Sequence, residues 1–133
     1  MNFLGIGAEE AKAFAERWLP AWTGNDPNRL ATFYTDDVVY SDPAIPSGVR
    51  GRSELVAYFT KLLAHNPNWV WSHTRSIPIV DGFLNFWHAT IPVAHRTVEA
   101  DGVCTVQIRE GLIYANHVFF DRSELLRALT ARS

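Results

Sequence analysis

The chain has 133 residues, 47% apolar, 20% charged and 13% aromatic, including 5 Trp and 8 Phe, so residues 1–133 suit one domain whose large rings fill a core or line a hollow. A formal net charge of −2 without any Lys/Arg block argues against nucleic-acid binding through a basic patch. Cys104 has no partner for an intrachain disulfide, and neither a signal-peptide pattern nor an apolar run of about 18 residues is present, so a soluble, cytoplasmic protein without membrane contact is expected.

Residues 7–23 place Phe14, Trp18, Leu19 and Trp22 at helical spacing, with Glu9 and Glu10 near the start where the helix dipole favours acids. Pro20 should weaken the last turn. Asp26 can cap a second helix that has Pro27 in its first position and runs to about Tyr34, burying Leu30 and Phe33. Val38 to Ser41 reads as a short strand, and Asp42-Pro43 with Pro46 and Gly48 reads as a loop. Ser53 opens a third helix ending near Ala64.

After Asn66-Pro67 the apolar period changes from 3.6 to 2. Residues 69–79, 83–93, 97–109 and 112–120 read as strands, with turns at Asp81-Gly82, near Ala94-His95 and at Glu110-Gly111. A last helix is expected over about 122–131. Helices around one short strand, followed by a strand meander, give an α+β chain with a curved antiparallel sheet. Phe83, Asn85, Trp87, Ala89, Ile91 and Val93 share one parity of their strand, while Leu84, Phe86, His88, Thr90 and Pro92 share the other. Neither set reads as a water face, so helices are expected on one side of the sheet and a second copy of the chain on the other.

Asp42 is the leading acid–base candidate. Pro43 fixes its own φ and pushes Asp42 towards extended geometry, which holds a carboxylate stiffly at a strand end among apolar neighbours. The plainer alternative is that Asp42 ends the strand by bonding loop amides. His117 and Asp121 are spaced four apart on one strand face without a third ligand, so an interface role and a helix cap are expected in place of a metal site.

The segments D-D-x-x-x-x-D-P (Asp36 to Pro43), G-R-x-E-L (Gly51 to Leu55) and E-G-x-I (Glu110 to Ile113) resemble the NTF2-like superfamily, closest to its SnoaL-like polyketide-cyclase branch and to ketosteroid isomerases. The resemblance implies a cone (the NTF2-like/cystatin-like form), in which a bent sheet wraps around the N-terminal helices over a pocket for a small apolar ligand. It places Asp42 at the position of the isomerase base and turns Leu84, Phe86, His88, Thr90 and Pro92 inward; on that phase His88 would be Asp42's acid–base partner or the group that tunes it. It likewise turns Asn116, Val118 and Phe120 to the cavity, with Trp18, Tyr40, Phe59 and Cys104 as further ligand-binding candidates. The isomerase tyrosine of the first helix is replaced by Trp18, and the acid of the third long strand by the Val103-Cys104 region, so steroid isomerisation by that route is not expected. The implied function is proton transfer (isomerisation, cyclisation or dehydration) on an apolar cyclic or polyketide-like compound, without metal or organic cofactor. The alternative is a non-catalytic binding module or a dimerising accessory domain.

Overall fold

The computed structural model describes residues 7–131, apart from 67 and 94. Helix α1 (Ala8–Trp18) buries Ala11, Phe14, Ala15 and Trp18 and passes into a 3-10 helix over Leu19–Trp22. The change comes where Pro20, which has no N–H, cannot extend an α-helix. Asp26 caps α2 (Pro27–Ala31) by accepting from the Arg29 backbone N–H at 3.1 Å, as the Asp-Pro pair predicts. That helix is shorter than expected, because Tyr34 already belongs to strand β1 (Tyr34–Asp42).

The expected loop after Asp42 is a strand, β2 (Ile45–Arg50), paired antiparallel with β1 through the tight corner Pro43-Ala44. Pro46 is tolerated because β2 is the edge of the sheet and bonds on one side only. Helix α3 (Arg52–His65) follows, then β3 (Val70–Ile79), β4 (Gly82–Val93), β5 (Arg96–Arg109), β6 (Leu112–Phe120) and α4 (Ser123–Ala131). The β5–β6 turn has Glu110 at φ 54° and Gly111 at φ 81°, the left-handed pair that a tight hairpin requires. Part of the turn near Ala94-His95 lies outside the described residues.

The six strands form one curved, unclosed α+β sheet of order β2-β1-β6-β5-β4-β3. It is antiparallel except where β1 runs parallel to β6. The core lies between its concave face and the helices, with Trp18, Tyr34, Tyr40, Phe59, Phe83 and Trp87 almost fully buried.

The inward row of β4 is Phe83, Asn85, Trp87, Ala89, Ile91 and Val93. This is the reverse of the strand phase taken from the isomerase match. Gly102, opposite Trp87 on β5, shows how the indole is accommodated: a Cβ there would sit 2.2 Å from Trp87 Cζ2. The row with the large rings goes to the helices, and the row containing His88, Thr90 and Pro92 goes outward.

Candidate functional site

A cavity of about 210 Å³ opens between the concave sheet face, the end of α1, α3 and α4. It exceeds the roughly 150 Å³ apolar cavity that suffices for benzene. Aromatic rings form much of its wall: Trp18, Trp22, Trp69, Trp71, Trp87, Tyr40, Tyr58 and Phe120. These rings brace one another. Trp71 and Trp87 meet edge to face at 4.8 Å, and Trp87 and Phe120 do so at 5.3 Å. Such pairs contribute about 0.5–1.5 kcal/mol each beyond their buried area.

Two charged side chains, Asp42 and Arg122, interrupt the apolar wall, together with the phenol hydroxyls of Tyr40 and Tyr58. Asp42 Oδ1 accepts from the backbone N–H groups of Ala44 (2.8 Å) and Ile45 (3.2 Å), which close the β1–β2 corner. Asp42 Oδ2 accepts from the hydroxyls of Tyr40 (2.8 Å) and Tyr58 (2.6 Å). Asp42 thus bonds the loop amides, as the plainer alternative expects, and it also stands at the cavity wall. Burial is the main cause that raises the Tyr58 and Tyr40 phenol pKa values. For Tyr58 the hydrogen bond to Asp42 is the next cause, and for Tyr40 it is the charge of Asp42. Both phenols stay protonated donors at neutral pH.

Apart from Phe86, the expected ligand-binding residues divide into two groups. Trp18, Tyr40, Cys104, Val118 and Phe120 line the same cavity as Asp42. Phe59 lies behind the wall, fully buried against Trp22, Tyr34, Tyr40 and Tyr58. Asn116 is also buried behind it, its Oδ1 accepting from Tyr34 Oη at 3.1 Å and its Nδ2 donating to the Thr105 carbonyl at 2.8 Å. Trp18 lends its ring to the wall, but its indole N–H donates to Tyr34 Oη at 3.2 Å. Burial pushes the Cys104 thiol up to about 12, so at neutral pH it is a protonated, unreactive patch of wall.

His88 and Phe86 do not face the cavity, because the β4 phase is reversed. The Phe86 ring lies on the outer face under the Arg75 guanidinium, 4.6 Å from the ring centre. His88 is on the same face, its Nδ1 2.8 Å from Asp101 Oδ1 and its Nε2 2.8 Å from Glu99 Oε1. The sheet therefore separates the imidazole from Asp42. His117 Nδ1 lies 2.7 Å from Ser41 Oγ, and Asp121 accepts from the Ser123 backbone N–H at 2.9 Å at the start of α4, as expected for a cap.

The hydrogen bond to Asp101 and, second, that to Glu99 raise the His88 pKa. A raised folded value stabilises the fold below the unfolded pKa of about 6.5, and this contribution is lost as pH rises through the folded value. His88 should therefore titrate above its unfolded value by NMR, and His88→Gln should remove stability on the acid side only. A His88 titration at or below the unfolded value would contradict this.

Tyr58, Trp71, Trp87 and Arg122 were not expected at the site. Trp87 was identifiable from the strand parity that carries most of the large rings. Tyr58 falls on α3 beside Phe59, and Arg122 falls in the β6–α4 corner, where no periodicity marks a direction.

The SnoaL-like domain model matches residues 15–116. No curated protein matches the chain. A hypothetical protein of Catenulispora acidiphila with a ketosteroid isomerase-like fold, solved with trimethylamine, superposes with a TM-score of 0.76 at 22% identity, over 88% of this chain and 92% of its own. A Jannaschia protein described as a SnoaL-like polyketide cyclase superposes with a TM-score of 0.76 at 13% identity, over 93% and 94%. AclR of Streptomyces galilaeus does so with a TM-score of 0.74 at 16% identity, over 94% and 83%. At these identities the superpositions establish the fold, an NTF2-like cone. With the family match over most of its length, the chain belongs to the SnoaL-like domain family.

Proposed function

We propose that this chain is a small-molecule enzyme of SnoaL-like type, which binds an apolar cyclic or polyketide-like compound in the ring-walled cavity and moves a proton with Asp42. The observation behind the proposal is the position of the carboxylate: Asp42 is fixed by four donors at the wall of an apolar hollow large enough for a ring. A cyclic ketone stacked among the indoles would bring its carbonyl and the adjacent C–H to Asp42 and Tyr58. Turning the Tyr58 hydroxyl to the ligand oxygen would stabilise the developing enolate. It would also remove one donor from Asp42 Oδ2, making that oxygen more basic as it takes the proton. Returning the proton from Asp42 to another carbon gives isomerisation, attack of the enolate on a second carbonyl with the proton passing to the new alkoxide gives cyclisation, and passing it to a β-hydroxyl that leaves as water gives dehydration. The description of the Jannaschia relative as a polyketide cyclase agrees with a ligand of this kind.

A second reading has its own support. Four donors on one carboxylate also describe a structural corner, and the cone would then hold a ligand without changing it. Deuterium uptake beside the carbonyl of a tetralone in heavy water separates the two. An enzyme accelerates it through Asp42, and a binder leaves the solution rate unchanged in wild type and in Asp42→Asn alike.

The proposal extends to a homodimer through the outer sheet face. Phe119 is 56% exposed there, Val70 48% and Ile77 39%. A second copy across a two-fold axis would cover these exposed apolar side chains, on a face that also carries His88, Glu99 and Asp101. Sedimentation equilibrium should give twice the chain mass, and a monomer at micromolar concentration would overturn the dimer.

A further inference from the structure

Arg122 lines the cavity from the corner between β6 and α4. Hydrogen bonds tie the corner together. Asp121 Oδ1 accepts from the Ser123 N–H (2.9 Å) and hydroxyl (2.6 Å), and the Leu126 N–H donates to the Arg122 carbonyl at 2.8 Å. Among the described residues, the guanidinium takes no ion pair and no side-chain hydrogen bond, whereas Arg52, Arg96 and Arg109 each pair with a carboxylate. Its charge reaches the cavity wall, where it acts to lower the Tyr58 pKa against the larger effect of burial.

The cavity thus holds one charge of each sign in unequal states. Asp42 is saturated by two backbone N–H groups and two phenols. Arg122 keeps its planar fork of donors unused, the geometry that suits a carboxylate or another ionised oxygen. A cationic ligand would find the carboxylate occupied and the guanidinium repulsive. An anionic one would find aromatic walls for its rings and an unused fork for its charge.

We propose that Arg122 is the ligand-charge anchor of the cavity and that the natural ligands are ring compounds carrying an acidic oxygen (a carboxylate, phenolate or enolate). This inference rests on the cavity being a ligand site, as in the proposed function, but it does not require catalysis.

The test uses three probes of one ring size, namely naphthoate, naphthamide and a naphthylmethyl trimethylammonium ion. Their affinities are measured by tryptophan fluorescence and calorimetry near neutral pH. Wild type should bind naphthoate at least about tenfold more tightly than the amide, as expected for a charge-assisted contact. In Arg122→Gln that preference should vanish while amide affinity stays the same, with circular dichroism confirming the fold. Equal affinity for acid and amide in wild type, an undiminished preference in Arg122→Gln, or tightest binding of the ammonium ion would overturn the anchor and leave the cavity as a ligand site. Because the acid–amide comparison is made in wild type, it stands even where the variant folds poorly. Binding of none of the three would overturn the anchor and the ring-binding cavity together.

Discussion

Phe59→Ala should lower unfolding stability by about 3–5 kcal/mol, the usual cost of removing a fully buried phenyl ring. Phe59 is 0% exposed, and its ring centre lies 5.0 Å from Trp22, 5.5 Å from Tyr40 and 5.6 Å from Tyr34. These neighbours cannot collapse into the gap freely. Tyr40 is bonded to Asp42, and Tyr34 lies between Trp18 and Asn116. The loss would be a large share of the roughly 5–15 kcal/mol that holds a domain folded. Chemical denaturation measures it. The same variant should loosen the cavity wall, since Trp22 and Tyr40 lose their backing, so ligand affinity should fall with stability. A loss below about 1 kcal/mol would mean that Phe59 does not support the wall as described.

The parts of the fold that could be anticipated are those specified by local chemistry. Asp26-Pro27 marks a cap and a first helical residue whatever surrounds it, and Glu110-Gly111 marks a hairpin because few residue pairs accept two left-handed conformations. The parts that could not be anticipated depend on distant partners. β2 carries Pro46 and Gly48, residues that usually break strands, and it forms because β1 lies beside it and its other edge is free. The parallel pairing of β1 with β6 joins residues more than seventy positions apart and leaves no periodic mark.

The reversed β4 phase has a specific cause. The two parities differ in polarity: five of six residues are apolar in the Phe83 to Val93 row, while the other row holds His88 and Thr90. The first row is the more apolar, whereas the match to the isomerases favoured the second. Burial prevailed, and with it Trp87 replaced His88 at the cavity. Asp42 reached the cavity because its position depends on a rigid Asp-Pro corner and not on strand phase. Val118 and Phe120 reached it because the phase taken for β6 agrees with the observed burial, and Cys104 lies beside Val118 on the same face. Asn116 shares that inward phase but is used up by Tyr34 and Thr105, a saturation that only side-chain packing reveals.

The second large effect concerns chemistry. Asp42→Asn keeps the size of the side chain and an oxygen for the corner amides, but the amide cannot take a proton. Positioned acid–base groups contribute about 10²–10⁴ in rate, so proton abstraction from a bound ring ketone should fall by about that factor. Ligand affinity should change little, because the ring walls are untouched and Asp42 is one polar group among them. The decisive measurement is the rate of deuterium uptake beside the carbonyl of a tetralone in heavy water, followed by proton NMR in wild type and Asp42→Asn, with binding measured on the same samples. Wild type should accelerate the uptake, and the variant should lose at least about a hundredfold at similar affinity. Equal rates in the two proteins with the ketone bound would contradict it and leave Asp42 as the clasp of a corner in a binding protein.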